Sequence, residues 1–372
     1  MEGKEEEGNT FLNDFSSEEI KQPKTMSPKM KKIIIGVAIS LLLIIVISII
    51  IISLLPSNKD YRNDEENGNN NIPNSFGTIT CIYDINDISK ETLLLSNDYI
   101  KESNFEIYIE DKQIPYSKSY KFSKIGKNVV KFELYEDISL NNMFKYISRL
   151  VSVKLYTNKN LKILSIENAF ENCENLEEFT IEGFNTENIQ SMKKTFYGCK
   201  KLGNSIFQLN TKNLNDMSFM FAESGVTNID LSKYDTSNVL NMSHMFYKCD
   251  SLINVNIGDI NTEKVQDMSY MFAYSESLTN LDFGNINTNN VKNMSHMFQD
   301  CISVTFLNLN DFQTKNVEDM SYMFDECSSL LSLNIDNFDT SNVKNMSHMF
   351  NYCGELSDIN IINFNTINVE DM

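Results

Sequence analysis

FDTSNVKNMSHMFNYC, residues 338–353, is the stretch that decides the fold. Its Met-Phe pair recurs along the chain, with the phenylalanine at Phe144, Phe170, Phe196, Phe221, Phe246, Phe272, Phe298, Phe324 and Phe350. The spacings are 26, 26, 25, 25, 26, 26, 26 and 26 residues, and nine units in phase mean a repeat architecture. In the unit after Phe298, Val317, Met320, Met323, Phe324 and Cys327 fall at i, i+3, i+6, i+7 and i+10. That spacing predicts one apolar face of a short helix of about three turns. Thr314 stands where it would cap the helix, and Glu318-Asp319 put acid in its first turn. Leu330, Leu333 and Ile335 follow, the last two alternating as in a short strand, and NFDTSN has turn composition.

A single strand–turn–short-helix unit cannot bury its apolar face, whereas a stack of units in register can. The expectation is therefore an α/β solenoid over 141–372, its strands pairing in parallel at ~4.8 Å per rung into a rod of about 40 Å. No proline occurs after Pro115, as a ladder that uses every backbone donor requires.

Working outward, residues 77–140 contain the β-rich runs TITCIYDI, FEIYIED, YSKSYKF and KNVVKFELY. They read as a small cap module over the first, degenerate repeat, with Lys124 to Asn128 as a hairpin loop. Residues 56–76 are polar and Asn-rich, a flexible stalk. Ile33 to Leu55 holds neither charge nor proline and would span roughly 35 Å as a helix, enough to cross a bilayer as an uncleaved signal-anchor. Lys21, Lys24, Lys29, Lys31 and Lys32 precede it, whereas Lys59 and Arg62 after it are diluted by Asp60, Asp64, Glu65 and Glu66. The positive-inside rule puts a disordered tail, 1–32, in the cytoplasm and the repeats outside a single-pass cell membrane protein. Met372 is in phase with Met346, so the sequence is expected to stop inside a unit.

AFENCENL (Ala169 to Leu176) and the recurring F-D-T-S-N-V-x-N-M-S-x-M-F-x-x-C resemble the BspA-like leucine-rich-repeat surface proteins, and within them the branch with mycoplasma-type lipoprotein repeats of 25–26 residues. The resemblance covers about 140–372. It implies a right-handed leucine-rich-repeat-like solenoid displayed on a cell surface and linked to adhesion, and it carries over no catalytic residue. One departure is the anchor: many bacterial members are lipoproteins, whereas the first cysteine here is Cys81 and the apolar segment is longer.

The 372 residues carry a net charge of −19, which argues against nucleic acid as a partner, because phosphate binding needs clustered Lys and Arg. Three histidines, and no G-x-S-x-G, P-loop, H-E-x-x-H or dinucleotide fingerprint, leave no expectation of an enzyme, a metal or a cofactor. Cys173, Cys199, Cys249, Cys301, Cys327 and Cys353 each follow the repeat Phe by three residues, and Ser224 and Ser275 take that place in other rungs, so buried free thiols are expected rather than disulfides. His244, His296 and His348 alternate with Phe219, Tyr270 and Tyr322 at one position and read as a stacked aromatic column, with the histidines two rungs apart and too distant to share a zinc. Asn241, Asn293 and Asn345 each open an N-M-S acceptor for N-glycosylation, alternating with Asp267, Asp319 and Asp371.

The outward strand positions Asp230, Asn256, Asp282, Asn308, Asn334 and Asn360 form a polar, amide-rich column, the candidate face for a partner. The function that follows is adhesion or recognition of a protein or glycan outside the cell by a membrane-anchored repeat protein. The alternative is a structural coat or spacer with no specific ligand.

Overall fold

The computed structural model describes residues 75–203, 209–258, 260–284 and 286–372. The expected tail (1–32), the expected membrane helix (33–55) and all but the last two positions of the expected stalk (56–76) lie outside the described residues. The N-terminal strands are β1 (Gly77–Ile85), β2 (Thr92–Leu93), β3 (Phe105–Ile109), β4 (Lys112–Ile114), β5 (Ser119–Tyr120), β6 (Gly126–Leu134), β7 (Ile138–Ser139), β8 (Leu150–Thr157), β9 (Ile163–Ser165) and β10 (Glu178–Glu182). The repeat strands beyond them are β11 (Asn228–Asp230), β12 (Asn254–Asn256), β13 (Asn280–Asp282), β14 (Phe306–Asn308), β15 (Ser332–Asn334) and β16 (Asp358–Ile359).

The cap and the first rungs share one six-stranded sheet in the order β10-β8-β1-β6-β3-β4. β1 pairs antiparallel with β8, so the cap covers the edge of the first repeat strand, and β8 pairs in parallel with β10 one rung on. The sheet therefore continues past residue 140 into the repeats. Lys124 to Asn128 does not close a hairpin: β5 before it pairs with β2, whereas β6 after it lies between β1 and β3. The tight hairpin is β3–β4, turned by Glu110 and Asp111 at φ 52 and 59.

Beyond the cap the chain is a β-solenoid, and the expected short helix is absent. The five positions read as its apolar face, Val317, Met320, Met323, Phe324 and Cys327, are all fully buried, yet among the described residues there is no α-helix. The segment is a run of tandem turns. In every rung the residues two before and two after the repeat Phe take the left-handed backbone conformation, as at Tyr322 (φ 56) and Glu326 (φ 59) around Phe324. A left-handed residue every four positions stops helical propagation, because an α-helix needs consecutive right-handed residues. Alternate N–H groups then bond to the next rung: Met320 to Asn345 C=O, Tyr322 to Ser347, Phe324 to Met349 and Glu326 to Asn351, at 2.8–3.0 Å. The intervening groups close i to i+3 turns, as from Met323 N–H to Met320 C=O. Backbone polar groups are thus satisfied between rungs rather than along a helix.

The core is a file of rings. The nine repeat phenylalanines stack from Phe144 to Phe350 with centroids 5.5–5.8 Å apart and planes within 9°. Each offset-stacked pair contributes about 0.5–1.5 kcal/mol beyond area burial. Thr236, Thr262, Thr314 and Thr340 are buried; each hydroxyl donates to a main-chain carbonyl one rung on, at 2.8–3.1 Å, and Thr262, Thr314 and Thr340 also accept that residue's N–H. Asn238, Asn316 and Asn342, two residues after such a threonine, reach the other way and donate to carbonyls of the preceding rung. The T-x-N segments at 236–238, 314–316 and 340–342 therefore tie both neighbours, and Thr314 caps no helix.

The 25-residue spacing from Phe221 to Phe246 shows where a unit gives up a residue. Between Phe221 and Asn228 the corner is one residue shorter than between Phe246 and Asn254. Gly225 sits in that corner, where a Cβ would stand 2.0 Å from the Lys200 carbonyl oxygen, so only glycine fits the tightened path.

Candidate binding surface

The outward residues of the repeat strands form two parallel columns. One is the expected column: Asn256, Asp282, Asn308 and Asn360 are exposed, and Asp230 and Asn334 half-buried. Much of its hydrogen-bonding capacity is already used. Asp230, Asp282, Asn308 and Asn360 each accept, through Oδ1, the N–H two residues on, which holds the turn leaving the strand. The hydrogen bonds to Ser232 hold the Asp230 carboxyl below its usual range. Asn256 Nδ2 donates to Asp230 Oδ1 at 3.3 Å.

The second column, missed in the sequence reading, runs Asn228, Asn254, Asn280, Phe306, Ser332 and Asp358. Asn280 Nδ2 donates to Asn254 Oδ1 at 2.8 Å, and Asn254 Nδ2 to Asn228 Oδ1. This amide ladder ends where Phe306 stands, its ring 53% exposed. The strand ladder ends at the same place: β11-β12-β13 and β14-β15-β16 are separate three-stranded sheets. The turn run stays paired across the break, through Asp267–Asn293 and Asn293–Asp319, and the Phe272 and Phe298 rings remain 5.8 Å apart. The solenoid is thus split on its strand face alone. Phe283 is the physical reason we see for the split: it occupies the inward position held by Leu231, Ile257, Leu309 and Ile335, and its larger ring packs edge-on against Phe272, Phe298 and Phe312. Leu281 is only half-buried, while its equivalents Val255, Leu307 and Leu333 are 2% exposed. The outcome is a groove between Asn254 and Phe306 across the strand face.

The repeat that builds this surface matches the family described as "Mycoplasma protein of unknown function, DUF285", over residues 164–281, 224–329 and 303–372. The matched residues are more than half of the chain. The chain belongs to the DUF285 family. The resemblance to the BspA-like repeat proteins and their mycoplasma-type branch is consistent with that membership. No curated protein matches the chain. Among solved structures, a leucine-rich repeat protein from Bacteroides ovatus is 16% identical, with 70% of this chain and 76% of that chain covered and a TM-score of 0.36.

The other candidate positions fall at fixed places of the DUF285 unit. Asn241, Asn293 and Asn345 lie at the start of the turn run, each Oδ1 accepting the N–H of the serine two residues on at 2.8–3.0 Å. Asp267 and Asp319 do the same in the alternate rungs, which explains why Asn and Asp exchange there. Phe219, His244, Tyr270, His296, Tyr322 and His348 stack as expected, with centroids 4.1–4.6 Å apart. Burial holds the His244 imidazole down to about 4. All seven cysteines are free. The repeat thiols donate to the Phe carbonyl of the preceding rung, as Cys327 does to Phe298, and Ser275 Oγ donates likewise to Phe246 at 2.8 Å. The position selects a small donor, a signal present in the Cys–Ser exchange. Burial pushes the Cys249 thiol up to about 12 and the half-buried Cys353 to about 11.

Asp300 is pushed up to about 6 by burial first, then by the neighbouring Glu326, Asp325 and Glu276. Among the described residues no group of three or more His, Cys, Asp and Glu is placed to hold a metal ion.

Proposed function

We propose that this DUF285 protein is a non-catalytic recognition protein of the cell surface, anchored through Ile33 to Leu55, that contacts a protein or glycan outside the cell through its strand face. The observation that carries this reading is the repetition of one outward amide and carboxylate pattern, exposed or half-buried, from rung to rung, Asp230 to Asn360. Such a surface offers many weak contacts in register, which suits extended or multivalent partners.

The test presents the full chain on beads to cells, matrix proteins and glycans, beside a variant with Asn256→Lys, Asn308→Lys and Asn334→Lys. Binding lost in the variant with its circular dichroism unchanged supports recognition through this face. Equal binding by both excludes the face, and no binding to any of them favours a coat or spacer. The orientation is tested by protease treatment of intact cells, which should remove an epitope near residue 200 and spare one at residue 5.

A further inference from the structure

The break between β13 and β14 brings different binding groups into one groove. Asn280 donates to the rung before it, but its Oδ1 accepts nothing from the rung after, because Phe306 occupies the register position of the next amide. An amide whose N–H is already engaged is a strengthened acceptor at its free oxygen. Main-chain groups open onto the same place. The bond from Ile257 N–H to Asp282 C=O, and that from Leu309 N–H to Asn334 C=O, have no counterpart between Phe283 and Asn308. Beside these stands the exposed Phe306 ring.

We propose that this groove binds a neutral oligosaccharide, with Phe306 as the platform for a sugar ring and Asn254, Asn256 and Asn280 as the hydroxyl partners. Side-chain amides offer both donors and acceptors to vicinal hydroxyls, and the negative face of an aromatic ring attracts the polarised C–H groups of a pyranose. The charge of the lining matches an uncharged ligand. Its one carboxylate, Asp282, accepts the Gly284 N–H, and no basic side chain lines the groove. A peptide strand inserted between the rungs fits less well. Phe272 and Phe298 hold the two rungs one spacing apart behind the groove, whereas an added strand needs about 4.8 Å more.

This inference rests on the strand-face reading above and names its ligand class. Its test is calorimetric titration of the full chain, in a detergent without a sugar headgroup, with maltohexaose, cellohexaose, laminarihexaose and N-acetylchitohexaose. At least one should bind. Phe306→Asn, which restores the residue type of the ladder, should weaken that binding about tenfold or more, and Asn280→Ala several-fold. Lys159→Ala, in the exposed loop after β8 and outside the groove, should leave it within about twofold. Failure of all four sugars to titrate, or binding by Phe306→Asn within about twofold of the parent, overturns the proposal. Phe306→Asn that loses a bound peptide instead of a sugar overturns the ligand class. Should the sugars fail while the triple-lysine variant still loses cell binding, the face stands and the oligosaccharide falls. Should a sugar bind through Phe306 while cell binding ignores the triple substitution, the groove stands and surface recognition falls.

Discussion

The hydroxyl of Thr288 donates to the main-chain carbonyl of Gln313 at 3.0 Å and accepts the N–H of the same residue at 2.7 Å. One buried side chain thereby satisfies both backbone groups of a residue in the next rung. Thr288→Val keeps the shape and leaves both unpaired, at a cost of about 1–3 kcal/mol. Thr288→Ser keeps the hydroxyl and should cost distinctly less. Urea unfolding midpoints of the two variants check this, and equal values would deny the bond its role.

Phe298 lies between Phe272 and Phe324 in the ring file and is fully buried. Phe298→Ala should destabilise by roughly 3–5 kcal/mol through the cavity it leaves. A loss under about 1 kcal/mol in denaturant titration would contradict this packing.

Cys301 donates to the Phe272 carbonyl at 3.3 Å, where the preceding rung uses the hydroxyl of Ser275. Cys301→Ser should therefore stay within about 1 kcal/mol of the parent, with Cys301→Ala the more damaging of the two. In native protein at pH 8, maleimide labelling should reach the half-buried Cys353 well before the other thiols.

Asp300 has its carboxyl raised from 3.8 to about 6, so the fold disfavours its charged form. The resulting penalty is absent below pH 4, grows between pH 4 and 6, and is complete above pH 6. Asp300→Asn keeps a residue suited to the left-handed backbone there (φ 56) and removes the charge. It should stabilise by roughly 1 kcal/mol at pH 7, allowing for the solvent that screens a half-buried group, and by much less at pH 4. Thermal melts at the two pH values read the difference, and a gain at pH 4 equal to that at pH 7 would refute the assignment.

The repeat length, the buried positions, the free thiols and the aromatic column were legible because each depends on side-chain type at a fixed period. The helix was misread for a specific reason. Tandem turns bury residues at i, i+3 and i+7 much as a helix does, so Val317 to Cys327 carries both patterns equally well. The feature that separates the two is the left-handed pair around each Phe. Asn168, Asn172 and Gly198 advertise it, being residue types that tolerate that conformation. His244, Tyr270 and Tyr322 hide it, because cross-rung bonds and ring stacking impose a backbone their own preferences do not favour. The strand face was read as one uniform column. The groove depends on two substitutions in neighbouring units, Phe283 and Phe306, whose joint effect exists only once the rungs are stacked.

The reciprocal ties made by the T-x-N segments carry a consequence for heredity. Every partner of a given rung lies one repeat away, so a tandem duplication supplies both halves of each bond it interrupts, and excision of one whole repeat restores them. A frame-preserving loss of a single codon displaces every tie in its rung, unless it falls at a corner such as the one Gly225 closes. Length in such a chain can change in whole repeats with the inter-rung ties kept, whereas the groove, which needs Phe283 and Phe306 in neighbouring units, cannot be copied by duplicating one repeat.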